Sequence, residues 1–202
     1  RLYEGTEALD GHALADAARG CQVVVSVRRT AGSAEFFAAS PDLAVFQRCA
    51  VDIRNIDVEA ASMHGVLVTH ASAGFGNAVA EWVLGTLIDL ARGLSESVHA
   101  YRTGTTARIA MGRELRGSTL GVIGYGHIGR RVGALGLALG MRVLVADPQV
   151  QVPVPEATPG QGPAPEQTSL EALLAAADHV VCLAPALPST ENLMDARRFA
   201  RM

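Results

Sequence analysis

The sequence predicts an α/β protein with two domains, each built around a parallel β-sheet. Two observations support this prediction: short apolar runs rich in Val and Leu recur along the chain, and helical patterns separate them. Continuous apolar runs are typical of strands covered on both faces, and alternation of strands with helices is typical of parallel sheets. The predicted strands are Cys21–Val27, Gly65–Thr69, Thr119–Gly124, Met141–Asp147 and His179–Leu183.

Three predicted helices follow from apolar spacing and from residues suited to helix ends. Glu7–Arg19 is rich in Ala and Leu and is followed by Gly20, a residue typical of helix C-termini. A second helix is followed by Gly140 and carries apolar residues at helical spacing, namely Ile128, Val132, Leu135 and Leu139. The third, Ser169–Ala177, begins with a serine that can cap it.

The longest predicted helix begins near Asn77 and continues past Arg92, with an apolar stripe formed by Val79, Val83, Leu87, Leu90 and Leu94. The following segment, Tyr101–Gly117, lacks a clear period and contains four arginines. It fits either a solvated loop or an oligomer contact. We therefore place a domain boundary near Asn77, which gives domains 1–76 and 77–202.

Composition limits the partners and the location. The 202 residues are 49% hydrophobic and 18% charged, with a formal net charge of −3. This predicts a folded core and argues against nucleic acid or an anionic membrane as the main partner. No apolar run reaches the length of about 20 residues that a membrane span needs, and no signal peptide is recognised, so a cytoplasmic location is predicted. Three separate cysteines form no pair, and no metal site is predicted.

Prolines mark one long loop. Five of the nine prolines lie within Pro153–Pro165, together with two glycines. Such a composition cannot continue a strand or a helix, so we predict an extended surface loop.

A glycine-rich turn is the motif that points to chemistry. Thr119–Gly129 reads TLGVIGYGHIG, in which a predicted strand runs into G-x-G-x-x-G and a helix follows at once. Gly124 permits the tight turn, Gly126 leaves room for a pyrophosphate, and Gly129 lets the helix pack close to the strand. The amides and dipole at the start of the helix then face the phosphates.

An acidic residue supports a dinucleotide site at this turn. Asp147 ends the next predicted strand, near the spacing of about 20 residues expected for an acid that binds the adenosine ribose. Its charge would repel a 2′-phosphate, so the pattern predicts NAD rather than NADP. The alternative is a glycine-rich turn followed by an unrelated aspartate. The order of strand, turn, helix, strand and acid favours the cofactor site.

Four sequence blocks occur in an order that resembles one family. They are Asn55–Asp57 followed by Gly65–Thr69; Gly74 with Val79–Glu81; Leu115–Gly117 running into the glycine turn; and Ser169–Leu174 followed by Asp178 and Pro185. From about Leu43 to Met202 the chain resembles the D-isomer-specific 2-hydroxyacid dehydrogenases. The resemblance implies two Rossmann-like or flavodoxin-like parallel-sheet domains with a cleft between them.

The resemblance also implies the residues of a cofactor site. His127 and Ile128 would lie at the pyrophosphate, and Ala184 and Pro185 beside the nicotinamide. Ala71 would approach the cofactor across the cleft. The full predicted NAD-binding set is Ala71, Gly124, Tyr125, Gly126, His127, Ile128, Gly129, Asp147, Pro148, Ala184 and Pro185.

A second implied site is a loop whose backbone amides hold the substrate carboxylate. It comprises Ala50, Val51 and Asp52. The family usually has Gly at Ala50 and Asp52, and Asp where Arg54 stands. Asp52 adds negative charge, which Arg54 or Arg48 would offset, unless the loop serves a different acid.

No catalytic residue is assigned within the chain. By the resemblance, the Arg, His and Glu that the family uses for its chemistry would follow Met202, and the family's first strand would precede the start. Both domains are therefore expected to be incomplete here. Among the histidines, His127 is predicted at the cofactor and His179 as structural. His70 is predicted as a structural or lining residue, with proton transfer as the alternative. The surface is predicted for His12, His64 and His99.

The sequence therefore predicts an NAD-dependent oxidoreductase that transfers a hydride between NAD(H) and a small 2-hydroxy or 2-keto acid of D configuration. A non-catalytic NAD-binding sensor or corepressor-like module is the alternative. We also predict a homodimer formed through the long helix after Asn77 and the segment up to Gly117.

Overall fold

A computed structural model describes residues 5, 7–72, 74–108, 110–152 and 164–202. The chain divides into two compact units, Arg1–Gly74 and Phe75–Met202, and this division lies close to the expected one near Asn77. Each unit contains a parallel sheet, which confirms the predicted α/β class. None of the helices in the described ranges is long and apolar enough to cross a membrane.

The first unit is a three-stranded parallel sheet in the order β1-β2-β3, with helices between the strands. In chain order its elements are α1 (Gly11–Ala17), β1 (Val23–Ser26), α2 (Ala34–Ala38), β2 (Val45–Arg48), α3 (Val58–Met63) and β3 (Leu67–His70). Each helix is capped by a side chain that accepts a backbone N–H of the first turn, from Asp10, Ser33 and Asp57 respectively.

Aromatic packing holds one face of this sheet. Phe36 and Phe37 of α2 and Phe46 of β2 are fully buried, and their ring centroids lie 5.2 to 5.7 Å apart. On the opposite face the side chains are exposed, including Val25 at 65% and Leu67 at 60%. The expectation that every strand is covered on both faces is therefore wrong for β1 and β3, because only alternate residues of β1 reach the core.

The second unit begins with α4 (Gly76–Arg92), which is followed by α5 (Leu94–Arg102). The predicted start of the long helix is confirmed, but Gly93 ends α4 in a left-handed conformation with φ 65°. Part of the predicted stripe is wrong. The side chains that α4 buries are Ala80, Val83, Leu87 and Ala91, whereas Leu90 is 72% exposed and Leu94 begins α5.

The remaining elements form a four-stranded parallel sheet in the order β6-β5-β4-β7. In chain order they are β4 (Thr119–Ile123), α6 (His127–Ala138), β5 (Arg142–Ala146), β6 (Glu166–Gln167), α7 (Leu170–Ala176), β7 (His179–Cys182), a 3-10 turn at Pro188–Thr190 and α8 (Ala196–Phe199). Strands β4 and β5 are nearly continuous apolar segments whose side chains are buried. The predicted cap of α7 is confirmed, because the Ser169 side chain accepts the N–H of Ala172.

Some predicted boundaries and elements differ from the structure. Helix α1 is shorter than Glu7–Arg19, and the segment Tyr101–Gly117 starts inside α5. Four elements were not predicted from the sequence, namely α2, β2, α3 and β6, which are between two and six residues long. Most of the predicted proline loop, residues 153–163, lies outside the described residues.

Candidate functional site

The glycine turn between β4 and α6 forms an open cradle. Gly124 adopts φ 87°, which favours glycine, and a Cβ there would lie 2.8 Å from the backbone nitrogen of Ala184. A Cβ on Gly129 would overlap the Gly124 carbonyl oxygen, so this glycine allows α6 to start close to the strand. A Cβ on Gly126 would meet no atom of the described residues within 4 Å. The space over Gly126 is thus open to a ligand.

Among the described residues, no side chain caps the start of α6. The N-cap residue is Gly126, which has no side chain to accept the first N–H groups of the helix. Helix α6 has 12 residues, and its positive dipole end begins at His127 and Ile128. Backbone N–H groups and a positive helix end suit a diphosphate, so the predicted pyrophosphate position fits the geometry.

Asp147 follows β5 and is held in place by backbone N–H groups. Its Oδ2 accepts the N–H of Tyr125 at 2.6 Å, and its Oδ1 accepts those of Gln149 at 2.8 Å and Val150 at 3.2 Å. Burial acts to raise the pKa of Asp147, but these three hydrogen bonds and the nearby Arg130 charge outweigh it and lower the pKa. The group is therefore a carboxylate at neutral pH, as an acceptor for ribose hydroxyls must be.

Tyr125 contributes its backbone N–H to the candidate site, whereas its ring is buried in the core. The Tyr125 side chain is 6% exposed and lies in the core, where burial raises the pKa of its hydroxyl. The Arg130 guanidinium lies over the ring, with Cζ 5.4 Å from the ring centroid. Pro148, next to Asp147, is exposed.

The third side of the cradle comes from the segment after β7. Leu183 N–H donates to the Ile123 carbonyl at 2.7 Å, which brings Ala184 beside the Gly124 turn. The exposed Pro185 follows, and its carbonyl accepts the Thr190 hydroxyl at 2.5 Å. The structure thus gathers the glycine turn, Asp147, Ala184 and Pro185 at the carboxyl ends of β4, β5 and β7.

The topology of the sheet agrees with this placement. From β4 the chain moves outward through β5 to β6 and then returns to β7 on the other side of β4. This order corresponds to the first four strands of the dinucleotide-binding order 3-2-1-4-5-6, in which ligands bind where the direction reverses. The crevice between the carboxyl ends of β4 and β7 is therefore the candidate cofactor site.

The first unit contains the candidate substrate loop, and Arg48 anchors this loop. This arginine is fully buried at the end of β2 and donates hydrogen bonds to the Val27 carbonyl, to the Thr30 carbonyl at 2.7 Å and to Asn55 Oδ1 at 2.8 Å. Its Nε has no partner within the described residues. Burial lowers the pKa of Arg48, and Asp52 acts in the opposite direction. A guanidinium keeps its proton in proteins, so a positive charge is fixed beneath the loop.

Asp52 does not leave this loop negative. Its carboxylate accepts hydrogen bonds from Arg54 Nη2 at 2.8 Å and from Arg28 Nη2 at 2.9 Å. The side-chain and backbone hydrogen bonds from Arg54 are the largest cause of the lowered pKa of Asp52, and the Arg28 side chain adds to them. One aspartate and three arginines, including Arg48, therefore surround the loop, and their summed charge is positive.

The other residues of the first unit occupy the same edge of its sheet. Ala71 follows β3, and its N–H donates to the Ala50 carbonyl at 3.2 Å. His70 is exposed, and its Nδ1 lies 3.0 Å from the Ala71 carbonyl oxygen. Ala50, Val51, Asp52 and Ala71 thus lie together at the carboxyl ends of β2 and β3. The role of Ala71 toward the cofactor stays a prediction.

The remaining histidines and cysteines divide into exposed and partly buried groups. His12, His64, His99 and His127 are exposed, whereas His179 is partly buried at the start of β7. Cys49, before the candidate substrate loop, and Cys182, two residues before Ala184, are both exposed residues. No cluster of metal-ligating side chains occurs among the residues that the structure describes.

Two side chains of these candidate sites, those of Arg28 and Arg131, were not predicted from the sequence. Arg28 reaches Asp52 from the loop after β1, and no sequence spacing announces such a long-range pair. Arg131 donates to His127 from one helical turn away, and the i, i+4 spacing was a usable signal for this pair.

The chain is similar to known proteins over almost its whole length. Residues 84–202 match the family described as D-isomer specific 2-hydroxyacid dehydrogenase, NAD binding domain. This range contains the glycine turn, Asp147 and Ala184, and the match confirms NAD as the cofactor. The chain is also 34% identical over 197 residues to a D-3-phosphoglycerate dehydrogenase of Haemophilus influenzae, covering 97% of the chain and 46% of that protein. The chain spans about half the length of the curated relatives that it matches.

The fold of the chain is also similar to solved structures. The TT0316 protein from Thermus thermophilus superposes with a TM-score of 0.83 at 29% identity, over 96% of this chain and 60% of that one. D-Lactate dehydrogenase from Aquifex aeolicus, solved in complex with NAD and lactic acid, superposes with a TM-score of 0.78 at 27% identity, over 93% of this chain and 55% of that one.

Proposed function

Because the chain belongs to the D-isomer-specific 2-hydroxyacid dehydrogenase family, we propose that the whole protein is an NAD-dependent oxidoreductase. It transfers a hydride between NAD(H) and a small 2-hydroxy or 2-keto acid of D configuration. The observation that carries this proposal is the cradle at the carboxyl end of β4, where Asp147 is tied to the Tyr125 backbone beside the unobstructed Gly126.

Binding and orientation of the cofactor fall to the second unit. The first amides of α6 and the open surface of Gly126 receive the diphosphate. The Asp147 carboxylate accepts the ribose hydroxyls, since three hydrogen bonds from the backbone leave part of its capacity of about four free. Ala184 and Pro185 support the nicotinamide side. When bound, NAD supplies the hydride chemistry, and the protein supplies position and electrostatics.

Recognition of the acid is assigned to the first unit. The backbone amides of Ala50, Val51 and Asp52 bind the substrate carboxylate, as successive N–H groups in a loop can. The buried Arg48 charge and the Asp52 pair with Arg28 and Arg54 keep this loop positive, which favours an anionic substrate.

The proposal also includes a homodimer and a cytoplasmic location. Exposed apolar side chains lie on α4 and α5, namely Trp82, Leu90, Leu94, Val98 and Tyr101, and such a patch suits an interface between two copies of this chain. We place the homodimer contact there. The cytoplasm is the proposed location, in keeping with three cysteines that form no disulfide among the described residues.

Titration calorimetry of the whole protein with NADH and NADPH tests the cofactor site, and a screen of 2-keto acids for loss of NADH absorbance tests the activity. We expect NADH to bind more tightly than NADPH and at least one acid to be reduced. Tight NADH binding without turnover of any acid would instead favour the NAD-sensing module. The feature that supports this second function is the departure of the candidate substrate loop from the usual family pattern, with Ala50 and Asp52 where the family usually has Gly.

A further inference from the structure

The first turn of α4 packs directly against the first residue of α6. Gly76 begins α4 and is buried. A Cβ built on Gly76 would lie 2.7 Å from Nδ1 and 2.8 Å from Cε1 of His127, closer than real Cβ contacts occur. The His127 imidazole therefore occupies the space that a side chain at position 76 would need.

The opposite edge of the ring is held by Arg131, one turn further along α6. Arg131 Nε and Nη2 lie 3.3 and 3.2 Å from His127 Nε2. A guanidinium can only donate hydrogen bonds, so Nε2 accepts and the hydrogen of the neutral ring lies on Nδ1. Arg131 Nη1 also donates to the side-chain oxygen of Asn77.

This arrangement leaves a positive charge at the start of α6. The hydrogen-bond partners of Arg131 within the described ranges are an imidazole nitrogen and an amide oxygen, neither of which carries a negative charge. The guanidinium charge therefore adds to the positive helix end instead of being neutralised by a carboxylate. An anionic group at the cradle gains from this charge when His127 and Arg131 hold these positions.

We propose that Gly76, Asn77 and Arg131 are positioning residues that fix the orientation of His127 and thereby set the affinity for NAD. The inference rests on the proposed function in one respect, namely that the NAD diphosphate binds at the start of α6. Gly76 acts by leaving space, Arg131 acts by holding Nε2, and Asn77 acts by holding Arg131.

The substitution Gly76→Ala in the whole protein tests the first role. The added methyl displaces the His127 ring, and we expect the dissociation constant of NADH to rise about three- to tenfold, which corresponds to a loss of up to about 1.4 kcal/mol. In turnover the KM for NADH should rise while kcat changes little. Gly85→Ala is the matched control, because Gly85 lies on the same helix and a Cβ there meets no atom within 4 Å in the part of the chain that the structure describes. Thermal unfolding verifies that both variants are folded.

A double-mutant cycle separates positioning from a general disturbance of α4. We expect Gly76→Ala to have no further effect on NADH affinity once His127→Ala has removed the ring. Equal losses in both backgrounds would overturn the proposal, because the methyl would then act on the helix and not on His127.

The imidazole nitrogen signals of His127 give a second readout, which does not depend on cofactor. In ¹⁵N-labelled protein we expect the Nδ1–H tautomer, and we expect Arg131→Met to shift the ring toward a mixture of tautomers. An unchanged tautomer in that variant would refute the role of Arg131. If NADH failed to bind the unmodified protein, the proposed function would fail, whereas the tautomer measurement would still decide the positioning.

Discussion

The Asp147 carboxylate and the Tyr125 backbone N–H are joined by a hydrogen bond of 2.6 Å. This bond ties the end of β5 to the glycine turn after β4, so the acid and the diphosphate cradle share one rigid arrangement. Two more N–H groups, from Gln149 and Val150, fix the other carboxylate oxygen. The carboxylate that we propose as the ribose-binding group is thus oriented by the protein's own backbone.

Removal of this carboxylate should weaken NAD binding selectively. We expect Asp147→Ala to reduce the binding free energy of NADH by about 1–3 kcal/mol, the cost of unpaired polar groups. NADPH should lose less, because the repulsion of its 2′-phosphate disappears. Calorimetric titration of both cofactors measures the difference, with Asp195→Ala, in the cap of α8, as the control. Equal losses for the two cofactors would contradict the ribose role.

Two glycines of the turn should respond differently to the same methyl group. At Gly126 a Cβ meets open space, so Gly126→Ala should lower NADH affinity while the free energy of unfolding stays within about 0.5 kcal/mol. At Gly129 a Cβ overlaps the Gly124 carbonyl oxygen, so Gly129→Ala should destabilise the fold by about 1–3 kcal/mol and also impair binding. Urea unfolding and NADH titration of both variants test this pair. Similar stabilities for the two variants would disprove the distinction.

Loss of the buried Arg48 should destabilise the first unit. Arg48→Met leaves the Val27 and Thr30 carbonyls and the Asn55 side chain without their donor. Because each buried group left unpaired costs about 1–3 kcal/mol, we expect a total loss on the order of 3 kcal/mol in urea unfolding. Arg19→Ala, at an exposed position just after α1, should change stability little. An effect of Arg48→Met no larger than that of this control would rule out the anchoring role.

Stability should fall at acid pH partly through Asp147. Its pKa is lower in the folded protein than the value of about 4 expected for the unfolded chain. The folded state therefore binds fewer protons, and the stabilisation is present above about pH 4 and is lost as the pH falls through the folded pKa. We expect Asp147→Asn to be less stable than the unmodified protein at pH 7 and to lose less stability on acidification. Unfolding free energies from pH 7 down to pH 3 test this, and parallel curves would refute it.

The exposed apolar residues of α4 and α5 should mediate dimerisation. Trp82 is 72% exposed, and Trp82→Glu combined with Leu90→Lys should convert a dimer into a monomer in sedimentation experiments without loss of helix content. Met63→Glu is the control, because Met63 is equally exposed but lies on α3 of the first unit. A protein that is monomeric before any substitution would remove the proposed interface.

The sequence predicted the second unit more fully than the first unit. Strands β4 and β5 are apolar along their length, and the glycine spacing between them has one common structural meaning, so this region was found with its ends nearly correct. Strand β2 was missed because it is four residues long and ends in Arg48, and an arginine in a sequence does not suggest full burial.

Side-chain partners across long sequence distances account for most of what was not predicted. The pairing of Arg28 with Asp52 depends on how β1 and β2 lie side by side, which local patterns do not specify. The exposure of Leu90 has a similar origin. Its spacing fits the apolar stripe of α4, but Ala91 takes the place against the core.

The exposed cysteines allow ligand binding at the two candidate sites to be measured separately. Cys49 directly precedes the loop Ala50–Asp52, and Cys182 lies two residues before Ala184. A thiol is alkylated only when reagent can reach it. NADH should therefore slow the alkylation of Cys182, and a saturating 2-hydroxy acid should slow that of Cys49. Peptide mass spectrometry of the labelled protein then reports the binding of each ligand.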